Sequence, residues 1–152
     1  MKPEDFVETY FLFAARNEVL HGVPMLVTLA QAALESGWGR FAHGYNFFGI
    51  KAGPSWNGQI QTLKTTEYIR GKKKRIFQQF RKYTSPVESF EDHAKLLKER
   101  FPEAFEECDP VRFVMRIQNY HGHSYATDPN YVIKIARIIE RIKKNVKKME
   151  IN

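Results

Sequence analysis

The chain has 152 residues, enough for one domain with a sizeable core, and its formal charge of +7 favours anionic partners: nucleic acid, a membrane surface or an acidic polysaccharide. Its single cysteine, Cys108, excludes an internal disulfide and a cysteine-based metal cage. No apolar run approaches the ~18 residues that a bilayer span requires.

Glu4, Asp5 and Glu8 stand at the N-terminus, where a secretion signal would carry an apolar core. The expectation is a soluble single domain, residues 1–152, with no visible export signal. Residues 4–20 place Phe6, Tyr10, Phe13 and Asn17 on one stripe, with Val7, Phe11 and Ala14 beside it, which predicts an amphipathic helix ending near His21-Gly22. Pro24 suits the first turn of a second helix, 24–36, where its missing N–H costs nothing. Leu26, Leu29, Ala30, Ala33 and Leu34 recur at helical spacing. Val27 and Ala32 make the remaining face apolar too, so burial nearly all round is expected.

Glu35 is the only acid of that helix and directly precedes the helix-stopping Gly37 and Gly39. Desolvation and the negative end of the helix dipole both disfavour its charge. Both raise its pKa, which is what a general acid working near neutral pH requires. A helix-end glutamate that reaches solvent, or pairs with an Arg or Lys, fits the same residues.

From Arg40 to Asn57 the periodicity disappears and Gly, Asn and aromatics take over. An aromatic-rich irregular segment just after such an acid reads as a site wall, or else as a loop pinned by its own rings. Residues 59–69 and 75–83 carry strand propensity, with Arg70-Gly71-Lys72-Lys73-Lys74 as an exposed turn. Ser85-Pro86-Val87-Glu88 is a capping box that opens a helix with Val87, Phe90, Ala94, Leu97 and Phe101 on one face. Asp109-Pro110 opens another helix, and Asp128-Pro129 a last one, with Asp128 read as its N-cap. That last helix carries Val132, Ile135, Ala136, Ile139, Ile142 and Val146 as its apolar stripe. The expected class is α+β, mostly helical, with one small β-hairpin.

Glycosidic hydrolysis usually needs a second carboxylate as base or nucleophile. Glu67 lies in a threonine-rich strand whose neighbours could hydrogen-bond an ionised acid. By default, however, a glutamate on a hairpin is a solvated surface charge.

Six segments in order resemble glycoside hydrolase family 73, bacterial endo-β-N-acetylglucosaminidases of peptidoglycan. They are Ala30–Gly39, Asn46–Lys51, Thr65–Tyr68, Phe80–Tyr83, Ser89–His93 and Tyr125–Tyr131. The resemblance covers about residues 5–145. It implies a lysozyme-like α+β fold with the hairpin beside a substrate groove. It also implies Glu35 as general acid, Glu67 as second acid and Tyr125 as an active-site hydroxyl, no cofactor, and peptidoglycan glycan strands as substrate. Family members differ in the second step: some use the substrate's own acetamido group as nucleophile, assisted by the counterpart of Tyr125. Trp38, Asn46, Phe47, Phe48, Trp56 and Tyr68 are the expected substrate contacts.

Asn119–Ser124, ahead of Tyr125, is bulkier than the short glycine turn the family leads one to expect, and leaves Tyr120 as a rival hydroxyl. His121 and His123, with no cysteine partner, read as a solvated loop rather than a metal site. Arg70–Lys82 holds seven Lys or Arg and no acid, and Lys134–Lys148 holds seven more basic residues. The first run reads as attraction to an anionic cell-wall polymer, the second as a solvated helix face. No nucleic-acid motif accompanies them. The expectation is therefore a monomer of the cell envelope that cleaves between N-acetylglucosamine and N-acetylmuramic acid. A muramidase or lytic transglycosylase on the same glycan, or a non-catalytic wall-binding or assembly module, are the alternatives.

Overall fold

Where each helix begins and ends follows from local chemistry. The computed structural model describes residues 1–151 and contains five α-helices and one two-stranded antiparallel sheet. Helix α1 (Pro3–His21) starts on a proline and ends at Gly22, whose N–H bonds back to the Glu18 carbonyl. The Glu18 carboxylate then accepts the Met25 N–H, capping the next helix from outside it. Helix α2 (Met25–Ser36) begins one residue later than expected: Pro24 is its extended N-cap, not part of its first turn. Val27 through Ala33 are all buried, as the run of small apolar residues predicts.

Strands β1 (Ile60–Ile69) and β2 (Lys72–Arg81) pair from Ile60↔Arg81 to Ile69↔Lys72. The turn is only Arg70-Gly71, with φ of 51° and 75°, so Lys72, Lys73 and Lys74 belong to the strand and not to the turn. Two left-handed residues match the twist of a hairpin, and this geometry outweighs the weak strand propensity of three lysines. The segment around Lys51 bridges to Phe80, through Ala52 N–H to the Gln79 carbonyl and Arg81 N–H to the Ile50 carbonyl. The hairpin is thereby laced to the helical body.

Helix α3 (Pro86–Arg100) shows the capping chemistry read from Ser85: the hydroxyl accepts the Glu88 N–H. The Glu88 carboxylate reaches back one residue further than in the usual box, to the Thr84 N–H. Helix α4 (Pro110–Gln118) is capped by Asp109, which accepts the Arg112 N–H. Helix α5 (Tyr131–Ile151) starts later than Asp128-Pro129 led one to expect. Asp128 instead accepts the Asn130 N–H and the Lys134 ammonium, a turn leading into the helix.

The core lies around α2, which packs against α1, α4 and α5. Ile135, Ile139 and Ile142 of α5 are fully buried, and the rings of Phe6, Tyr10, Phe47 and Phe90 close the other side edge to face. Such ring pairs add ~1 kcal/mol each beyond the area they bury. Among the described residues, no helix is long and apolar enough to cross a membrane.

Candidate active site

The middle of α2 is fully buried, and Glu35, near its C-terminal end, is its one exposed residue. A groove of about 620 Å³ runs past it, walled by Phe48 to Lys51, by His93, Leu96, Leu97 and Arg100 of α3, and by Tyr125 to Thr127. A second hollow of about 440 Å³ also has Glu35 and Gly49 in its wall, together with Leu63, Lys64 and Thr65 of β1. Glu35 therefore stands where the two hollows meet, between the helical body and the hairpin. Gly49, at φ 64°, passes beside it, and a Cβ there would sit 3.9 Å from the Glu35 Oε2. Its left-handed backbone favours glycine, while the distance to Glu35 is an ordinary contact.

The side chain of Glu35 is exposed into this space rather than buried with its helix. Enough protein nevertheless surrounds the carboxyl for desolvation to hold its pKa above the usual glutamate range. It is the only carboxylate lining the larger groove, against Lys51, Arg81 and Arg100. Such a wall attracts anions and leaves one proton donor among cations.

Tyr125 reaches the groove from the loop before α5. Its N–H bonds to the Ile117 carbonyl at the end of α4, and Gln118 clamps the next residue, accepting the Ala126 N–H and donating to the Ala126 carbonyl. Burial, and then the nearby Glu35 carboxylate, raise the Tyr125 pKa, so the phenol keeps its proton. Tyr120, the rival hydroxyl, is packed on Phe101 and accepts the Glu103 N–H outside the groove lining. Tyr131 stands behind the site: its hydroxyl accepts from the side-chain amide of Gln31, one helical turn before Glu35.

Glu67 is on the same face of β1 as Leu63 and Thr65, as the alternation of a strand requires. It lies beyond both hollows, with its Oε1 3.5 Å from the Nζ of Lys51, itself part of the groove wall. The hairpin places it near the site without bringing it into the lining.

The expected substrate contacts separate. Phe48 lines the groove, stacked 3.7 Å from the His93 ring. Asn46 lines the smaller hollow, but its amide is spent on structure: it donates to the carbonyls of Ile50 and Arg81 and accepts the Ile50 N–H. Phe47 is a correction, since at 1% exposure it belongs to the core and reaches no solvent. Its neighbour takes the groove because successive residues of this tight loop point opposite ways. Trp38 packs edge-on against Phe6 with Arg141 over its ring, away from both hollows. Trp56 lies in a separate hollow beside Tyr83, under the Arg81 guanidinium. Tyr68 is 75% exposed on the far face of the hairpin, a second correction, because its register points it away from the groove.

Several groove residues carried no role in the sequence. His93 closes the Ser89–His93 segment and interrupts an apolar helix face, signals that could have singled it out. At 1% exposure both its ring nitrogens lack a partner, and burial lowers its pKa to about 3. Arg81 pairs with Asp92 at 2.9 Å, and Tyr83 donates to the same carboxylate, fastening the end of β2 to α3. His121 pairs with Glu103, whereas His123 faces the Arg100 carbonyl. Among the described residues, no three His, Cys, Asp or Glu side chains gather as a metal site would need.

A helical body, a small hairpin and a lone acid at the end of the central helix define a lysozyme-like glycoside hydrolase domain. Residues 13–144 match the glucosaminidase family, described as mannosyl-glycoprotein endo-beta-N-acetylglucosaminidase. The chain belongs to this family, glycoside hydrolase family 73. Peptidoglycan hydrolase FlgJ of Salmonella typhimurium is 36% identical over 149 residues, covering 92% of this chain and 46% of the relative. Exo-glucosaminidase LytG of Bacillus subtilis is 36% identical over 134 residues, covering 82% and 45%. The solved glycoside hydrolase domain of Salmonella typhimurium FlgJ superposes with a TM-score of 0.82 at 33% identity, covering 99% of this chain and 94% of that one. The chain spans about half the length of these curated relatives.

Proposed function

We propose that this chain hydrolyses the glycan of peptidoglycan at the β-1,4 bond that follows N-acetylglucosamine, with Glu35 as the general acid. The observation that carries this reading is a carboxyl of raised pKa at the meeting of two hollows, in a largely apolar wall whose other charged groups are Lys and Arg. A protonated Glu35 gives its proton to the leaving glycosidic oxygen as the bond to the anomeric carbon breaks. The wall cations suit a polymer that bears lactyl and peptide carboxylates.

The placement of Tyr125 favours the substrate's own acetamido group as the nucleophile of this step. Its carbonyl oxygen attacks the anomeric carbon while the leaving oxygen takes the Glu35 proton. The resulting oxazolinium is then opened by water, which returns a proton to Glu35, and the configuration is retained. The protonated Tyr125 hydroxyl, in the same groove as Glu35, orients the acetamido group. Glu67, ion-paired with Lys51 outside the groove lining, acts as an electrostatic support rather than as the base.

We also infer that residues 1–152 act as one glucosaminidase domain, as a monomer in the cell envelope, periplasmic or extracellular. Mass spectrometry of the fragments released from purified walls tests the proposal. Reducing-end N-acetylglucosamine is expected, and reducing N-acetylmuramic acid or its anhydro form overturns it. No release at all would leave a wall-binding or assembly module.

A further inference from the structure

The hairpin has two faces, and the hollow beside Glu35 takes Leu63 and Thr65 from the inner one, with Lys64 between them at its edge. Residues directly opposite each other in an antiparallel pair share a face. The register therefore places Lys64 with Phe77, Thr66 with Arg75 and Tyr68 with Lys73 on the outside. Phe77 is 71% exposed, and the Lys64 ammonium lies 5.8 Å over its ring. No carboxylate shares this face: Glu67, the only acid between residues 60 and 82, is on the inner side with Lys51. At the exposed tip, Arg70 in the turn adds a further positive charge, while Lys72 and Lys74, opposite Ile69 and Glu67, belong to the inner face.

We propose that this outer face is a second binding surface, for an anionic polysaccharide strand. The open rings of Phe77 and Tyr68 lie against the apolar faces of its sugars, while Lys73 and Arg75 meet its carboxylates or phosphates. Charge complementarity supports the choice, and so does continuity with the groove. The inner face of the same ribbon contributes Leu63 and Thr65 to the hollow beside Glu35, so a polymer threading the groove brings its neighbouring strands past the outside. A bilayer is the poorer fit. Membrane-surface segments offer a continuous apolar face, whereas these two rings are four residues apart along the ribbon, ~13 Å, with Thr66 and Arg75 between them. The identity of the polymer rests on the reading of the groove given above. The existence of the surface does not.

The test compares the wild type with the triple variant Lys73→Glu/Arg75→Glu/Phe77→Ser, all three positions lying outside both hollows. Co-sedimentation with purified walls should fall by about tenfold or more in the variant. Hydrolysis of short soluble glycan fragments, stripped of peptides, should be unchanged. The wild type supplies an independent reading: its wall binding should weaken steeply with salt while fragment hydrolysis does not. Unchanged sedimentation of the variant overturns the proposal. So does a wild type that sediments with phosphatidylglycerol vesicles but not with walls. If neither protein cleaves the fragments yet the sedimentation difference holds, the groove reading fails and the outer surface stands.

Discussion

Glu35, from the end of α2, and Tyr125, from the loop before α5, line one groove, and the carboxylate raises the pKa of the phenol beyond the effect of burial. Negative charge on one opposes negative charge on the other. Tyr125 therefore keeps its proton, a neutral hydroxyl for an amide, beside a carboxyl whose own pKa desolvation raises.

Replacing Glu35 with Gln keeps the shape and removes the donor. Wall hydrolysis, followed by turbidity, should fall by at least about a hundredfold, with the circular dichroism spectrum unchanged. Stability supplies the sign of the pKa shift. A carboxyl whose pKa is higher folded than unfolded binds protons in the folded state first, so stability drops as pH rises from the usual glutamate range through the raised value. Above that window the Gln variant should be the more stable in urea, and the difference should close in acid. A variant with most of its activity left would place the acid elsewhere.

Tyr125→Phe and Glu67→Gln separate the two routes. On the acetamido route, Tyr125→Phe should cost about tenfold to a hundredfold in kcat, Glu67→Gln should cost less, and proton NMR of the first product should show a retained anomer. An inverted product from an active Tyr125→Phe enzyme would make Glu67 the base.

His93 is buried with its pKa lowered to about 3, so the unfolded chain takes up a proton that the folded one refuses. Stability from this residue is complete above the ordinary histidine value near 6.5 and is lost as pH falls below it. His93→Phe, which keeps a ring against Phe48, should flatten that acid-side slope in urea titrations. A slope equal to that of the wild type would mean that the imidazole finds a partner.

Asn46→Ala removes three hydrogen bonds that hold the turn from Asn46 to Ile50 against the end of β2. The Ile50 N–H loses its partner, while the Ile50 carbonyl keeps the Arg81 N–H and the Arg81 carbonyl keeps the Gln61 amide, so the change should cost about 1–3 kcal/mol in urea unfolding. Activity should fall as well, because Gly49 lies in this turn beside Glu35. Loss of stability with full activity would show that the turn holds without its amide.

The elements were largely legible in the chain because their signals are local. The apolar run of α2, the caps at Ser85 and Asp109 and the isoleucine stripe of α5 each satisfy a requirement within a few residues. The acid at the end of the buried helix was legible for the same reason. Boundaries failed where geometry outweighed propensity: the two-residue turn at Arg70-Gly71 drew three lysines into β2, and Asp128 formed a turn ahead of α5. The site walls could not be read this way. Whether Phe47 or Phe48 faces the groove depends on the path of one tight loop, and whether Tyr68 does depends on the strand register. His93, Arg81 and Gln118 matter only because α3, β2 and α4 converge on one place. By itself, then, the sequence determined the helices, the hairpin and the place of Glu35 at the end of α2, through periodicity, capping and family motifs. Only the tertiary structure decided which side chains surround that acid, because a groove is made by contacts between distant segments, and those depend on packing and register that no local pattern encodes.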